Sequence, residues 1–478
     1  MADPYNLVVI GGGSAGLVSA YIGAAVKAKV ALIEKNKMGG DCLNTGCVPS
    51  KALIRSSRFI AEMKRHHDFG IKEVQYNFDF KDVMQRVHQI IGKIEPHDSI
   101  ERYTNLGVEC FTGEAKIIDK NTVEVNGQIL KTKNIILAMG AEPLIPPLKG
   151  LEKINYLTSD NLWELQHLPQ RLIVLGGGPI GSEMTQAFAR LGSNVTQVEM
   201  EKRILGREDD DVAAIISQEF LKDGVHLLTD AKAVEVQLNG NDKLLICELS
   251  DGKIEKIVFD EILVAVGRRP RTDEVDWEKL GVRLRKNKTI EVDAFMRAND
   301  CNIFAAGDIT GPYQFTHVAS HQAWYCAVNA LFRPIKKFKV NYDVIPWVTY
   351  TDPEVAQVGL NENTAIAQGI PYEVTKYGID DLDRAIAESA DHGFVKVLTA
   401  PGKDKVLGCT IVSHQAGELI TEFVSAMKHG FGLNSILGTI HSYPTMSEAN
   451  KYAAGDWKKA HTPDWALKFL RKYHSWRR

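Results

Sequence analysis

Residues 7–16 read LVVIGGGSAG: four apolar residues, then glycine at 11, 13 and 16. The apolar run has the length of a buried strand, and a helix-like segment follows the glycines. Residues 7–26 carry no charge over a length that could span a bilayer. Five of those twenty residues are glycine, however, and they cluster directly after the run. That is punctuation between a strand and a helix, which a membrane helix would not need. Lys29–Ile33 then reads as a second strand ending on Glu34. Glycines at this spacing permit a tight turn and let the backbone approach a pyrophosphate. The helix N-terminus offers it free N–H groups, and an acid about 20 residues on takes ribose hydroxyls. A dinucleotide site is the expectation.

The pattern returns. Leu172–Leu175 leads into Gly176, Gly178 and Gly181, and after the helical stretch SEMTQAFARLG the strand Asn194–Val198 ends on Glu199. Both copies keep every glycine and the acid, so two dinucleotides are expected rather than one. A carboxylate at 199 suits the free 2′-hydroxyl of NADH and repels the 2′-phosphate of NADPH. Lys202 and Arg203 soften that repulsion, and NAD(H) is preferred over NADP(H).

The bulk composition fits this reading. The 478 residues are 44% hydrophobic and 24% charged, the balance of a globular protein with substantial cores. A net charge of -3 and the lack of aromatic-basic interleaving argue against nucleic acid. MADPYN has no positive n-region, so a signal peptide is not expected and the cytoplasm is the expected compartment. There a close cysteine pair is more often catalytic or metal-binding than structural.

Such a pair stands in GGDCLNTGCVPSKAL, residues 39–53. Cys42 and Cys47 are a redox couple, two metal ligands, or neighbouring buried thiols. Zinc needs two more ligands at sensible spacing. Cys110, Cys247, Cys301, Cys326 and Cys409 are solitary, and no CxxC or HxxxH stands beside a cysteine. His317 and His321 read as packing and surface, His66 and His67 as solvated, and no metal site is expected. Two dinucleotides beside a cysteine pair suggest an electron route from nicotinamide to flavin to disulfide.

GGDCLNTGCVPSK closely resembles the redox loop of the class I flavoprotein disulfide reductases, which include dihydrolipoamide dehydrogenase, glutathione reductase and mercuric reductase. Ala138–Ala141, with Gly140, and Val264–Arg268, with Gly267, resemble the segments that close the flavin and nicotinamide halves. Ile303–Asp308 resembles the second flavin motif, and VIPWVTYTDPEVAQVGL (344–360) the start of the dimer interface domain.

The resemblance implies an α/β fold of two Rossmann-like domains, for FAD and NAD, plus a C-terminal α+β dimerisation domain. The expected segments are 1–150 (FAD), 151–272 (NAD), 273–338 (FAD again) and 339–478 (interface). It implies a homodimer with active sites shared between chains. Cys47 would lie against the flavin as the charge-transfer thiolate, and Cys42 would face the substrate. Asp308 would hold the ribityl chain, Ala115 and Ala319 would lie along the flavin, and Lys51 would pair with Glu183 near the ring. The residues agree on Cys47, which precedes Pro49 at the start of a helix, where a thiolate is stabilised.

The chain departs from these relatives at HSYPTMSE, residues 441–448. Dihydrolipoamide dehydrogenases and glutathione reductases place an acid-base histidine directly before Pro-Thr, oriented by a glutamate five residues later. Here Glu448 is in place, but Tyr443 precedes Pro444. A phenol is almost wholly protonated at neutral pH and cannot readily take a thiol proton. Mercuric reductases resemble the chain in having tyrosine there, yet they also carry a vicinal cysteine pair, and no cysteine follows Cys409. His441 could act as the base if i and i+2 share a face of an extended segment, or it could be structural.

In the tail, Thr462 reads as a helix cap with Pro463 at the first position. Trp465, Phe469, Tyr473 and Trp476 fall on one stripe with Lys468, Arg471, Lys472, Arg477 and Arg478 around it. That helix packs on the dimer domain or touches a membrane or partner. The expected activity is a mercuric-reductase-like NAD(P)H-dependent reduction, through FAD and Cys42–Cys47, of a thiol-bound soft metal ion or small disulfide. A dihydrolipoamide dehydrogenase with an altered base, and a flavin-bound redox sensor with weak turnover, are the alternatives.

Overall fold

The computed structural model describes residues 3–478 except 241, 274, 300 and 334. It divides into two compact units. The first comprises Met1–Ile60, Gln75–Lys202 and Leu228–Asn341; the second comprises Ala61–Val74, Arg203–Leu227 and Tyr342–Arg478.

The first unit is built on two parallel sheets. In one, Leu7–Ile10 lies between Val30–Glu34 and Ile135–Leu137, with Ile303–Ala305 and Val108–Thr112 at the edges. All four residues of Leu7–Ile10 are buried, as a central parallel strand covered on both faces requires. The charge-free stretch 7–26 is therefore a strand followed by the helix Ser14–Ala25. In the other sheet Arg171–Leu175 lies between Asn194–Val198 and Glu261–Val264. Its crossover helix, Pro179–Leu191, buries every residue after its first two. A three-stranded antiparallel ribbon, Ala231–Asn239, Asp242–Leu249 and Ile254–Phe259, shares a core with this sheet through Val236, Leu245 and Phe259.

The second unit carries a five-stranded antiparallel sheet in the order Pro346–Thr349, Glu354–Gly359, Val406–Ser413, Phe394–Thr399, Glu373–Gly378. Its core gathers Val395, Ile411, Phe423 and Trp457. Residues 203–227, read from the sequence as part of the nicotinamide segment, belong to this unit. Polar anchors explain the difference. The fully buried Lys396 ammonium lies 2.8 Å from Asp209, 2.9 Å from Asp211 and 2.9 Å from Glu362. A buried cation is tolerated only when paired this completely. The Asn361 amide also donates to the Arg207 carbonyl at 2.8 Å.

No helix among the described residues is long and apolar enough to cross a membrane.

Candidate active site

The two glycine turns are built alike. Gly11 and Gly176 adopt φ of 106° and 113°, which only glycine enters without strain. Their amides donate to a carbonyl at the end of the neighbouring strand, Ile33 or Val198, at 2.8 Å each. A side chain at Gly16 or Gly181 would run into the carbonyl of Gly11 or Gly176, so the helix could not come this close to the turn. Glu34 accepts from the Gly12 amide at 2.5 Å and the Asn36 amide at 2.7 Å. Glu199 repeats this with Gly177 at 2.5 Å and Glu201 at 2.8 Å. Both helix caps, Gly13 and Gly178, lack a side-chain hydrogen bond. No heavy atom lies within 4 Å of where a Cβ of Gly178 or Gly140 would be. An uncapped first turn with open space in front, as at Gly178, fits a pyrophosphate; at Gly13 the Gly40 Cα lies 3.7 Å from where a Cβ would be.

The cysteine loop rests on the first turn. Gly39 and Gly40 take φ of 88° and 57°, and the Gly39 amide donates to the Gly12 carbonyl at 2.9 Å. A Cβ on Gly40 would lie 2.6 Å from the Gly13 Cα, so the loop could not close this tightly with any other residue. Where the sequence reads as a continuous loop, Gly40–Asn44 forms a short helix. The Asn44 amide donates to the Met38 and Gly40 carbonyls at 2.9 Å, closing that turn. The Trp163 indole donates to the Thr45 carbonyl at 2.9 Å and anchors the far side.

Cys47 opens the helix Cys47–Lys64, and both cysteines are free thiols. Cys47 is held down at about 6. The hydrogen bond from the Cys42 thiol is the main cause, acting against the cost of burial, with Thr316 and the Lys51 charge adding to it. Cys42 is pushed up, first by that shared hydrogen bond and then by burial. The opposed shifts favour a single negative charge shared by the pair, with the helix start, Thr316 and Lys51 on the side of Cys47. The Lys51 ammonium lies 2.8 Å from the Glu183 carboxylate, joining the cysteine helix to the crossover helix of the second turn.

Arg268 ties the loop to the segment Ile303–Asp308. It forms a close ion pair with Asp41, donates to the Ala141 carbonyl at 2.9 Å and stands 3.8 Å from Asp308. Ala141–Pro143 and Arg268–Pro270 pair as an antiparallel ribbon, with Gly140 and Gly267 preceding its two strands at positive φ. Burial raises Asp308 to about 6, although Arg268 opposes it. A buried carboxyl so disfavoured as an anion gains from a hydroxyl donor, which fits a ribityl chain. Ala319 is buried in the helix Thr316–Phe332, 3.5 Å from where a Cβ of Gly307 would be. Ala115 starts the strand Ala115–Asp119, paired with Val125.

Tyr443, Glu448 and His441 belong to the second unit. The Tyr443 ring is 69% exposed and its hydroxyl donates to Asp383 at 2.9 Å. That bond, followed by the Asp383 charge itself, raises the phenol above its ordinary value. Glu448 is buried, accepting from the Thr445 amide at 3.2 Å and the Tyr452 hydroxyl at 3.3 Å. His441 takes a different side-chain partner from that of Tyr443, Glu422 in place of Asp383. Its side chain is 6% exposed, with Nε2 3.0 Å from Glu422 and Nδ1 3.0 Å from the Thr439 carbonyl. Both ring nitrogens are engaged, which fixes the ring in place.

Sequence reasoning missed three partners. The Thr316 hydroxyl lies 3.3 Å from Cys47 Sγ, Asp41 meets Arg268, and Asp383 takes the Tyr443 hydroxyl. Only Arg268 carried a signal, as the last residue of the motif Val264–Arg268.

Residues 5–323 match the pyridine nucleotide-disulphide oxidoreductase family, and residues 345–454 match its dimerisation domain. The chain is 34% identical over 452 residues to a mercuric reductase of Lysinibacillus sphaericus, covering 95% of this chain and 82% of that protein. It is 35% identical over 466 residues to a dihydrolipoyl dehydrogenase of Trypanosoma brucei brucei, covering 94% and 96%. Among solved structures it resembles the HOCl-induced flavoprotein disulfide reductase RclA from Escherichia coli, with a TM-score of 0.84 and 26% identity over 94% of this chain and 99% of that one.

Proposed function

The chain belongs to the class I pyridine nucleotide-disulphide oxidoreductases, FAD-dependent homodimeric enzymes, and we propose that it uses NADH to reduce a thiol-bound soft metal ion or a small disulfide. The observation that carries this reading is the asymmetric thiol pair: Cys47 lowered to about 6 and Cys42 raised, on a loop pinned to the first dinucleotide turn.

The flavin supplies the two-electron relay between a nicotinamide and a disulfide. Glu34, the Gly11–Gly16 turn and Asp308 would hold it, and Glu199 with the Gly176–Gly181 turn would hold NADH. Lys51 and Thr316 keep Cys47 as the thiolate, and Cys42, the protonated partner, meets the acceptor. With a disulfide acceptor, NADH and one proton yield NAD+ and two thiols. With a divalent metal ion held by two thiolates, NADH yields NAD+, a proton, the reduced metal and two free thiolates.

The acceptor side favours the metal reading. Tyr443 stands where a disulfide-exchanging relative keeps a histidine, and Asp383 holds its phenol protonated. A thiol bound to a metal is already deprotonated, so such a substrate makes no demand for a base. The dihydrolipoyl dehydrogenase relatives and the placement of Glu448 support the second reading, lipoamide exchange without the base. Segments 1–150 with 273–338, 151–272 and 339–478 are proposed to bind flavin, bind nicotinamide and form the interface.

The test is a panel of acceptors, including thiol-complexed mercuric ion, lipoamide and glutathione disulfide, each with NADH and with NADPH. Nicotinamide oxidation should be fastest with the metal complex and NADH. A clear preference for lipoamide would replace this reading with the second, and no turnover with any acceptor would leave the redox sensor.

A further inference from the structure

The last helix, Asp464–Arg477, buries none of its residues. Trp465 is 71% exposed, Phe469 63% and Trp476 82%. An isolated helix of this length is marginal in water, because most helical stability comes from packing an apolar face. This helix has such a face, and its own unit leaves it bare.

The arrangement of its side chains identifies what covers it. At about 100° per residue, Trp465, Trp476, Phe469 and Tyr473 fall within an arc of about 80°. Phe469 and Tyr473 stack with ring centroids 6.5 Å apart. Lys472 and Lys468 flank one edge of the arc and Arg477 the other, its guanidinium 5.8 Å from the Tyr473 ring, while Arg471 lies on the far side. Residues 464–478 hold five Lys or Arg against one Asp, a net +4, whereas the whole chain is -3, leaving -7 on the rest. The positive charge is thus concentrated on the element that exposes the aromatic rings. The 14-residue helix is about 21 Å long, too short to span a hydrocarbon core of about 30 Å. It could lie in the plane of a bilayer, rings among the acyl chains and cations at the headgroups.

We infer that the helix Asp464–Arg477 docks the enzyme on an anionic lipid surface. The aromatic arc enters the interface, and Lys468, Arg471 and Lys472 pair with headgroup phosphates. The acidic remainder of the chain disfavours any other contact with such a surface. The homodimer carries two of these helices, and two linked weak contacts bind far more tightly than one.

The experiment sediments the FAD-loaded full-length homodimer with vesicles of phosphatidylcholine, alone or doped with phosphatidylglycerol. Binding only to the doped vesicles, reversed by high salt, is expected. Lys468→Glu/Arg471→Glu/Lys472→Glu should weaken it by at least about tenfold. Trp465→Ala/Trp476→Ala should weaken it too, with flavin content, dimer mass and NADH-dependent turnover unchanged in both. Equal sedimentation with both vesicle types, or none, overturns the inference. So do tail variants that dissociate the dimer while the wild type ignores vesicles, which would make the helix a clasp on the second copy.

Discussion

Cys47 and Tyr443 are both weak acids at candidate reacting positions, and the protein treats them in opposite ways. Around Cys47 it gathers a thiol donor, a hydroxyl and a cation at the first residue of a helix, and the acid falls to about 6. Around Tyr443 it places Asp383, and the acid rises. One position is prepared to hold a negative charge and the other to refuse it. A group kept anionic can attack a disulfide or form a charge-transfer pair with a flavin. A protonated phenol is no nucleophile at neutral pH; it donates one hydrogen bond, here to Asp383, and can accept others. The contrast separates a sulfur favoured as an anion from a phenol favoured in its protonated form.

Removing the thiols tests the first half of the contrast and should have the largest effect. Cys42→Ser and Cys47→Ser should each lower turnover by about 10⁴ or more, the usual loss when a member of a catalytic unit is removed. Their spectra should differ. Cys42→Ser leaves the Cys47 thiolate unable to form a disulfide, so a long-wavelength band should be present without reductant, whereas Cys47→Ser should never show one. Identical spectra would erase the asymmetry between the thiols.

The phenol is tested next. Tyr443→Phe deletes the donor and should slow reduction of thiol-complexed mercuric ion by about tenfold, with a smaller effect on artificial disulfides. His441→Ala should lower the thermal midpoint and leave the pH profile of turnover unmoved, because its ring is tied to Glu422 and Thr439. A His441→Ala variant that loses a basic limb of that profile would restore the histidine as the base.

How much of this could be read beforehand follows the reach of each interaction. The glycine turns and their terminal acids were legible because positive φ and a carboxylate about 20 residues on are local requirements. The first strand ends on Glu34 as read, the second on Val198, one residue before Glu199, and the helix after Gly178 runs Pro179–Leu191. The pairing of Lys51 with Glu183 came from resemblance alone, since nothing local links positions 132 apart. Thr316 reaches Cys47 across 269 positions and left no trace in the sequence around it. The orientation of His441 depended on Glu422, 19 residues earlier, and alternation along an extended segment could not reveal it. The cap of the last helix was misread for a local reason. The Thr462 hydroxyl bonds back to the Lys458 carbonyl at 2.9 Å, which places Pro463 at the cap and Asp464 at the start.

The smallest effect sharpens the comparison most, because it titrates the thiolate itself. In the reduced enzyme the long-wavelength band should be absent well below pH 6 and grow in with an apparent midpoint of about 6, a value belonging to the coupled pair. The sign is fixed by chemistry: a lowered thiol loses its proton earlier as pH rises. Thr316→Val removes a hydrogen bond to the anion and should raise the midpoint by about one unit. Lys51→Met should raise it as well, for two reasons that add. The favourable charge is lost, and Glu183, whose own charge already pushes Cys47 upward, loses the Lys51 ammonium beside it. Lys51→Arg should preserve the midpoint, which separates charge from packing. A midpoint near the free-thiol value of about 8.5, unmoved by Thr316→Val and Lys51→Met alike, would mean that these neighbours do not set the thiol and that the contrast with Tyr443 has another cause.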